Sequence, residues 1–346
     1  RSFAPDFSIS LLLIPVTMLR FSVLGSGSAG NSAVVCHGDT RVLIDAGLSA
    51  KQLGLRLEAI GIDPDSLDAV VLTHEHGDHC GGLDVFCKKR PLPIFGTRDT
   101  CTVVGEGMTR SQVSWRKFEA GQGFEIGSLC FESFSVPHDA VDPVGYVIRD
   151  KDGETTVGIL SDVGQATGLI RDRLQAVDTL FIEANYDETM LVNDTKRPWA
   201  TKQRISSRHG HLSNDQAAEV VISVASERLH RIVLGHLSRD CNTPDVAIET
   251  ISRELAKAGW TDVAVECACQ RNPLPLRDAA RPRPVSAVSI SDPAQEPQPA
   301  PVEEPESVVR EEAPSPYSAR PSKPGPRREP STTPVDSSLQ QAEWAF

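Results

Sequence analysis

Behind an apolar run, AVVLT at 69–73, stands Thr73-His74-Glu75-His76-Gly77-Asp78-His79-Cys80-Gly81-Gly82, which puts four potential metal ligands within six residues. The chain has nine histidines in all, and a loop that is merely polar does not account for three of them beside one aspartate. His74 and His76 are two apart, so from an extended segment they point the same way and can bind one ion. Asp78 and His79 sit where the chain turns into a helix and can reach a second ion. Three imidazoles and one carboxylate do not complete two metal shells, so the remaining ligands must come from other strand ends. The candidates are His138 in VPHDA (136–140), Asp162 in LSDVG (160–164) and His236 in LGHLS (234–238). Each closes an apolar run, at the edge of a sheet where loops gather functional groups.

The rest of the pattern supplies such a sheet. Short β-branched runs predict strands at 21–24, 32–35, 41–45, 69–73, 155–160, 178–183 and 231–236, first as a meander and then alternating with helices. Helices are expected over Ala50 to Ile60, Cys80 to Lys89, Ser213 to Leu229 and Pro244 to Lys257, the third opening on a capping-box pattern. Two sheets packed together with helices outside would bury all of them. With 39% hydrophobic residues the chain can build such a core, which excludes a fully disordered protein. A formal charge of −12 excludes a globally basic nucleic-acid surface, so any phosphate-binding patch must be local. Eight scattered cysteines, the nearest pair being Cys267-Ala268-Cys269, read as reduced thiols of a cytoplasmic protein.

Both ends of the chain differ from its middle. The run ISLLLIPVTML (9–19) is too short to span a bilayer and is interrupted by Pro15, so no membrane segment is expected. Residues 1–17 read as upstream or extraneous sequence, with Met18 as the natural start. From Asn272 onward Pro, Ser, Glu and Arg dominate, and about two-thirds of the prolines fall there. Such a segment buries too little apolar surface to offset its ordering entropy. The expected organisation is a catalytic domain over 18–271 and a Pro-rich disordered tail over 272–346.

His74-x-His76-x-Asp78-His79, then His138, Asp162 and His236, preceded by Asp45 of LIDAG, resemble the five ordered motifs of the metallo-β-lactamase superfamily. The resemblance implies an α/β (α+β) protein with the superfamily's αββα four-layer sandwich. It also implies His74, His76 and His138 on one metal, Asp78, His79 and His236 on the other, and Asp162 bridging. Asp45 would be a buried carboxylate orienting the ligand loop, the alternative being a turn or capping role. LGSGSAGNS (24–32), VPHDAVDPVGYVI (136–148), LFIEANYD (180–187), KQRISSRHGHLSN (202–214) and GHLSRDCNTP (235–244) are similar to the YycJ/WalJ-like group, over about Met18 to Cys269. Members are associated with 5′-to-3′ DNA exonuclease activity. About 74 residues separate Asp162 from His236, too few for the inserted β-CASP domain of related nucleases.

The residues themselves agree with a phosphate ester. Gly25, Gly27 and Gly30 can leave backbone amides open to an anion, or simply turn the chain between two strands. Lys202, Arg204 and Arg208 form a local basic patch. His211, Ser213 and Asn214 stand at the start of a capped helix, where amides and dipole favour phosphate, although Ser213 is also the natural N-cap. His209 and His211 can equally be structural or exposed. The ligand set implies two divalent ions, Zn or Mn and also Fe by donor type, activating water against a scissile phosphate, with Asp78 holding the nucleophile's proton and His211 serving the leaving oxygen. Thioester or lactam hydrolysis, and a non-catalytic metal-stabilised scaffold, are the competing readings. The terminal Gln341-x-x-Trp344-x-Phe346 resembles short peptides that dock on bacterial sliding clamps.

Overall fold

A computed structural model describes residues 18–281. Expectations for residues 1–17, and for the chain beyond Arg281 with its Trp344 and Phe346, lie outside the described residues. The strands are β1 (Arg20–Gly25), β2 (Ser32–His37), β3 (Thr40–Ile44), β4 (Ala69–Val71), β5 (Pro93–Thr97), β6 (Ser114–Phe118), β7 (Gly123–Ile126), β8 (Leu129–Ser135), β9 (Val144–Asp150), β10 (Thr156–Leu160), β11 (Thr179–Glu183), β12 (Arg231–Gly235), β13 (Ala264–Cys267) and β14 (Arg277–Asp278). The helices are α1 (Ala50–Ala59), α2 (Gly77–Cys80), α3 (Leu83–Cys87), α4 (Arg98–Gly107), α5 (Gly168–Leu174), α6 (Glu188–Asn193), α7 (Trp199–Ile205), α8 (Asn214–Val224) and α9 (Pro244–Lys257). No helix among the described residues is long and apolar enough to cross a membrane.

Two seven-stranded sheets form, in the orders β14-β1-β2-β3-β4-β5-β6 and β13-β12-β11-β10-β9-β8-β7. Each starts as an antiparallel meander and continues with parallel strands. Parallel neighbours require crossovers, and these run through the helices on the outer faces. Strand alternation then sorts the side chains into layers. Val42, Ile44 and Val71 of the first sheet meet Tyr146, Val157, Ile159, Phe181 and Val233 of the second in the central layer. The opposite faces, Leu43 and Val70 on one sheet and Leu180, Ile182 and Leu234 on the other, are covered by α1, α3 and α4 and by α5, α8 and α9 respectively. With both faces buried, the inner strands are continuous apolar runs, which is why they were legible. The result is the αββα four-layer sandwich. Fully buried Tyr146 stays compatible with the central layer because its hydroxyl donates to the Leu72 carbonyl.

Three expectations need correction. The helix expected over Cys80 to Lys89 is two short ones, α2 and α3, broken at Gly81-Gly82. A Cβ on Gly82 would lie 1.8 Å from the Leu48 carbonyl oxygen, so the chain is drawn too close to its neighbour for a continuous helix. The helix from Ser213 stops at Val224, capped by Ala225, short of Leu229. Finally, the fold extends past the 271/272 boundary. Leu274 N donates to Val23 O at 2.9 Å, β14 pairs with β1, and the Ala279 carbonyl accepts from Thr179 Oγ1 at 2.7 Å. Backbone pairing on an edge strand does not require apolar side chains, so a Pro-rich composition concealed it. A chain ended at Arg271 is expected to melt about 4 °C below one ended at Arg281, as an edge strand worth roughly 1–2 kcal/mol is lost. Equal melting curves would show this strand to be energetically idle.

Candidate metal centre

The carboxyl ends of β3, β4, β10, β11 and β12 open on one edge, and β8, which runs the same way as β10, contributes the loop after Ser135. Asp45, Asp162 and His236 stand just beyond β3, β10 and β12 with φ of +57°, +50° and +52°. Among the described residues only one other non-glycine, Ala176, has positive φ. Left-handed backbone costs about 1–2 kcal/mol per such residue, and strain of this kind collects at functional sites. The chain turns into α2 at Gly77 and is clamped there: Asn31 N and Ala46 N each donate at 2.7 Å, to the Asp78 and His79 carbonyls. A Cβ on Gly47 would fall 1.6 Å from Asp78 O, so this close approach needs glycine.

All seven proposed ligands meet in this one place. His74, His76 and His138 form one triad of convergent donor atoms, and Asp78, His79 and His236 form another. Asp162 lies between them, with Oδ2 3.0 Å from His79 Nε2 and Oδ1 3.3 Å from His236 Nε2 and 3.9 Å from His138 Nε2. Behind them, Asp45 accepts from Thr73 N at 2.8 Å and Thr73 Oγ1 at 2.7 Å, and lies 2.7 Å from His79 Nδ1. His138 Nδ1 is fixed against the Gly210 carbonyl at 3.1 Å. These contacts orient the rings so that their Nε2 atoms face inward.

The donor set suits a divalent cation. His74 is buried, and its Nε2 has no hydrogen-bond partner within the protein. An orphaned imidazole nitrogen aimed into a nest of carboxylate and imidazole donors is what a metal ligand looks like in the absence of the ion's bond. Burial pushes the His74 ring well below the usual imidazole pKa. For His79 burial acts the same way, but Asp162, Asp78 and Asp45 outweigh it and hold the ring well above that value. Burial would likewise raise Asp162, yet His236 and His79 carry it well below the ordinary carboxylate range. No thiolate joins in, for burial lifts Cys80 to about 12 and its Sγ donates to the Glu75 carbonyl. All eight cysteines are free thiols.

His211 stands beside the centre, its ring stacked on His236 at 5.1 Å and its Nδ1 3.0 Å from Glu183 Oε2. Glu183 is fully buried and also accepts from Val163 N and Leu212 N at 2.9 and 2.8 Å. Sequence reasoning passed it over, although it ends a strand between those that end before Asp162 and His236, and that shared position was the available signal. Asn31 was missed too. Its Nδ2 lies 3.1 Å from Asp78 Oδ2 and 3.0 Å from His79 Nε2.

The expected phosphate contacts fare differently. The Gly27 amide donates to Asn31 Oδ1 at 2.8 Å, and the Ala29 amide to Gln270 Oε1 at 2.9 Å, so the glycine loop is a turn holding the ligand segment and not an open anion cradle. Lys202 is buried with Nζ on the Val192 carbonyl at 2.7 Å. Ser213 caps α8 through a complete capping box, and Asn214 is buried in a reciprocal pair with Asn242. Both side chains are buried, so neither is presented to a substrate. Arg204 does reach the centre, but by pairing through Nε and Nη2 with Asp139, whose Oδ1 is 3.3 Å from His138 Nε2.

That pairing changes what neutralising Arg204 should do. Arg204→Gln leaves the Asp139 carboxylate without its cation beside a proposed ligand, so turnover of bis-p-nitrophenyl phosphate and of DNA should fall by similar factors. Asp139→Asn combined with Arg204→Gln should cost little more than either alone. A loss confined to DNA would return Arg204 to direct phosphate binding.

Residues 40–236 match the family described as the beta-lactamase superfamily domain. The chain is 36% identical over 242 residues to exodeoxyribonuclease WalJ of Streptococcus pneumoniae, covering 69% of this chain and 89% of that one. To exodeoxyribonuclease YycJ of Bacillus anthracis it is 31% identical over 244 residues, covering 70% and 91%. The crystal structure of Zn(2+)-bound PqqB from Methylobacterium extorquens superposes with a TM-score of 0.56 at 18% identity, covering 74% of this chain and 99% of that one, a likeness of fold.

Proposed function

Since the chain belongs to the beta-lactamase superfamily and, within it, to the YycJ/WalJ-like group, we propose that it is a 5′-to-3′ exonuclease on DNA whose centre holds two divalent ions. It is a metal-dependent hydrolase. The observation that supports the finer reading is the pair of triads with the Asp162 carboxylate between them. The exodeoxyribonuclease names of the two relatives support DNA as substrate.

In this reading His74, His76 and His138 would hold one ion and Asp78, His79 and His236 the other, with Asp162 lying between the two triads. Divalent ions there supply Lewis acidity toward a phosphoryl oxygen and make water acidic enough to attack near neutral pH; zinc, manganese and iron all suit nitrogen and oxygen donors. Asp78, partly open to solvent and held by Asn31, takes the proton of the attacking water. Asp45 keeps the His79 proton on Nδ1 and so leaves Nε2 free as a donor of electrons. His211 supplies a proton to the leaving oxygen. Burial alone would lower that imidazole, but Glu183 outweighs it and lifts the group to about 9, which favours the protonated form that donation requires.

The test is digestion of duplex and single-stranded DNA carrying a label at either end, beside RNA, bis-p-nitrophenyl phosphate and a thioester, with and without divalent metal. Early release of the 5′ label as mononucleotide or short product, abolished by chelation, is expected. Thioester turnover with intact DNA would replace the reading, and release from the 3′ end would reverse its polarity.

A further inference from the structure

The segment between β11 and α8 leaves the sandwich as an arm made of α6 and α7. It packs a small apolar cluster, Tyr186, Leu191 and Ile205 with Cys241 of the loop after β12, separate from the three large clusters. Arg197 pairs with Asp194 inside the arm and ties it to Asp240 outside it. Its outer surface carries Trp199 and Val192, 64% and 63% exposed, the two most exposed large apolar side chains among the described residues. Neither contributes to the arm's core, so folding does not explain them.

The arm is also locally basic. Between Tyr186 and His211 there are five Lys and Arg against three Asp and Glu, whereas the whole chain has 35 against 47. Most of these cations are engaged within the protein, but Arg208 is exposed, with no carboxylate partner among the described residues. Its backbone forms a wall of the centre: a Cβ on Gly164, two residues past Asp162, would lie 2.4 Å from the Arg208 carbonyl carbon. Asp139 N donates to the His209 carbonyl, one residue further on, at 3.1 Å. From the exposed indole that opens α7, the arm therefore runs on to end against the ligand loops.

We infer that this arm is the track for a single-stranded stretch of the DNA substrate, with Trp199 stacked on a base and Arg208 on a backbone phosphate. The inference rests on the nucleic-acid reading above and adds where the strand lies. An exposed indole and an exposed guanidinium on one arm are the chemistry that binds single strands irrespective of sequence, because every base offers a π-face and every linkage a charge. In an acidic protein, the exposed Arg208 side chain, carried on backbone that walls the centre, gives the strand its direction of approach.

The test uses the full-length, metal-loaded protein and a fluorescent phosphorothioate oligothymidylate of about twenty nucleotides, with binding followed by anisotropy. Trp199→Ala should weaken binding about tenfold, the size of one lost base stack, while Trp199→Phe stays near wild type. Arg208→Gln should reduce the slope of log K against log salt by about 0.7. Unchanged melting temperatures would show the variants to be folded. If Trp199→Ala binds as wild type does, or if it merely converts a dimer to a monomer at equal DNA affinity, the inference is overturned and the surface belongs to something else, a second copy in the latter case. Wild type that cleaves DNA beside an indifferent Trp199→Ala removes this inference alone. Wild type that neither binds nor cleaves DNA removes the nuclease reading with it.

Discussion

Asp78→Ala is expected to lower hydrolysis of any phosphodiester on the order of 10³-fold or more while leaving the fold intact. The Asp78 side chain reaches His79 Nε2 at 3.6 Å and His236 Nε2 at 4.0 Å, and it is a quarter exposed. The contact that secures the loop is made by its backbone carbonyl, which accepts from Asn31 N and survives the substitution. Circular dichroism and the melting temperature should therefore be those of wild type. His76→Ala should behave the same way, for the ring contacts of His76 are with the candidate ligands His74 and His138. Near-normal turnover of Asp78→Ala in metal-replete buffer would dispose of the two-ion mechanism.

Asp45→Asn is the sharper experiment, because it alters no proposed ligand. Asparagine tolerates the left-handed backbone that Asp45 adopts at φ +57°, and its carbonyl can still accept from Thr73 N. Its amide, however, offers hydrogens where the carboxylate accepted from His79 Nδ1. His79 must then move its proton to Nε2, the atom that faces Asp162. Metal content after dialysis should fall, with affinity down about 10- to 100-fold, although the protein remains folded. Asp45→Ala should in addition destabilise by about 3 kcal/mol, since Thr73 N and Thr73 Oγ1 lose their buried acceptor. Full metal occupancy in Asp45→Asn would mean that the tautomer is not set from Asp45.

The parts of the fold legible in the sequence were those whose side chains are buried on both faces. β3, β4, β10, β11 and β12 read as apolar runs because they lie in the middle of a sheet with helices over one face and the partner sheet against the other. The outer strands did not read as strands. β6, Ser114–Phe118, buries only its last residue, and β14 is two exposed charged residues that pair with β1 through the backbone, with Arg277 also bound to Glu266. Such strands are specified by a neighbour's unpaired amides and carbonyls, which leave no trace in hydropathy.

The candidate ligands were legible for a different reason. Metal chemistry restricts the donor types, and a strand end restricts where they stand, so His74, His76, Asp78, His79, His138, Asp162 and His236 announce themselves by type and position. What the sequence determined by itself was the class of chemistry, the layered architecture and these side chains. What tertiary structure decided was the use of every group whose role depends on a partner distant in the chain. Arg204 reads as a free cation until Asp139, 65 residues away, is found against it, and Lys202 until it is seen buried on a carbonyl. Glu183 reads as an ordinary strand residue until His211 is placed at 3.0 Å from it. Local spacing fixes which groups are present, but desolvation and pairing, which set their charge and availability, are properties of the packed chain.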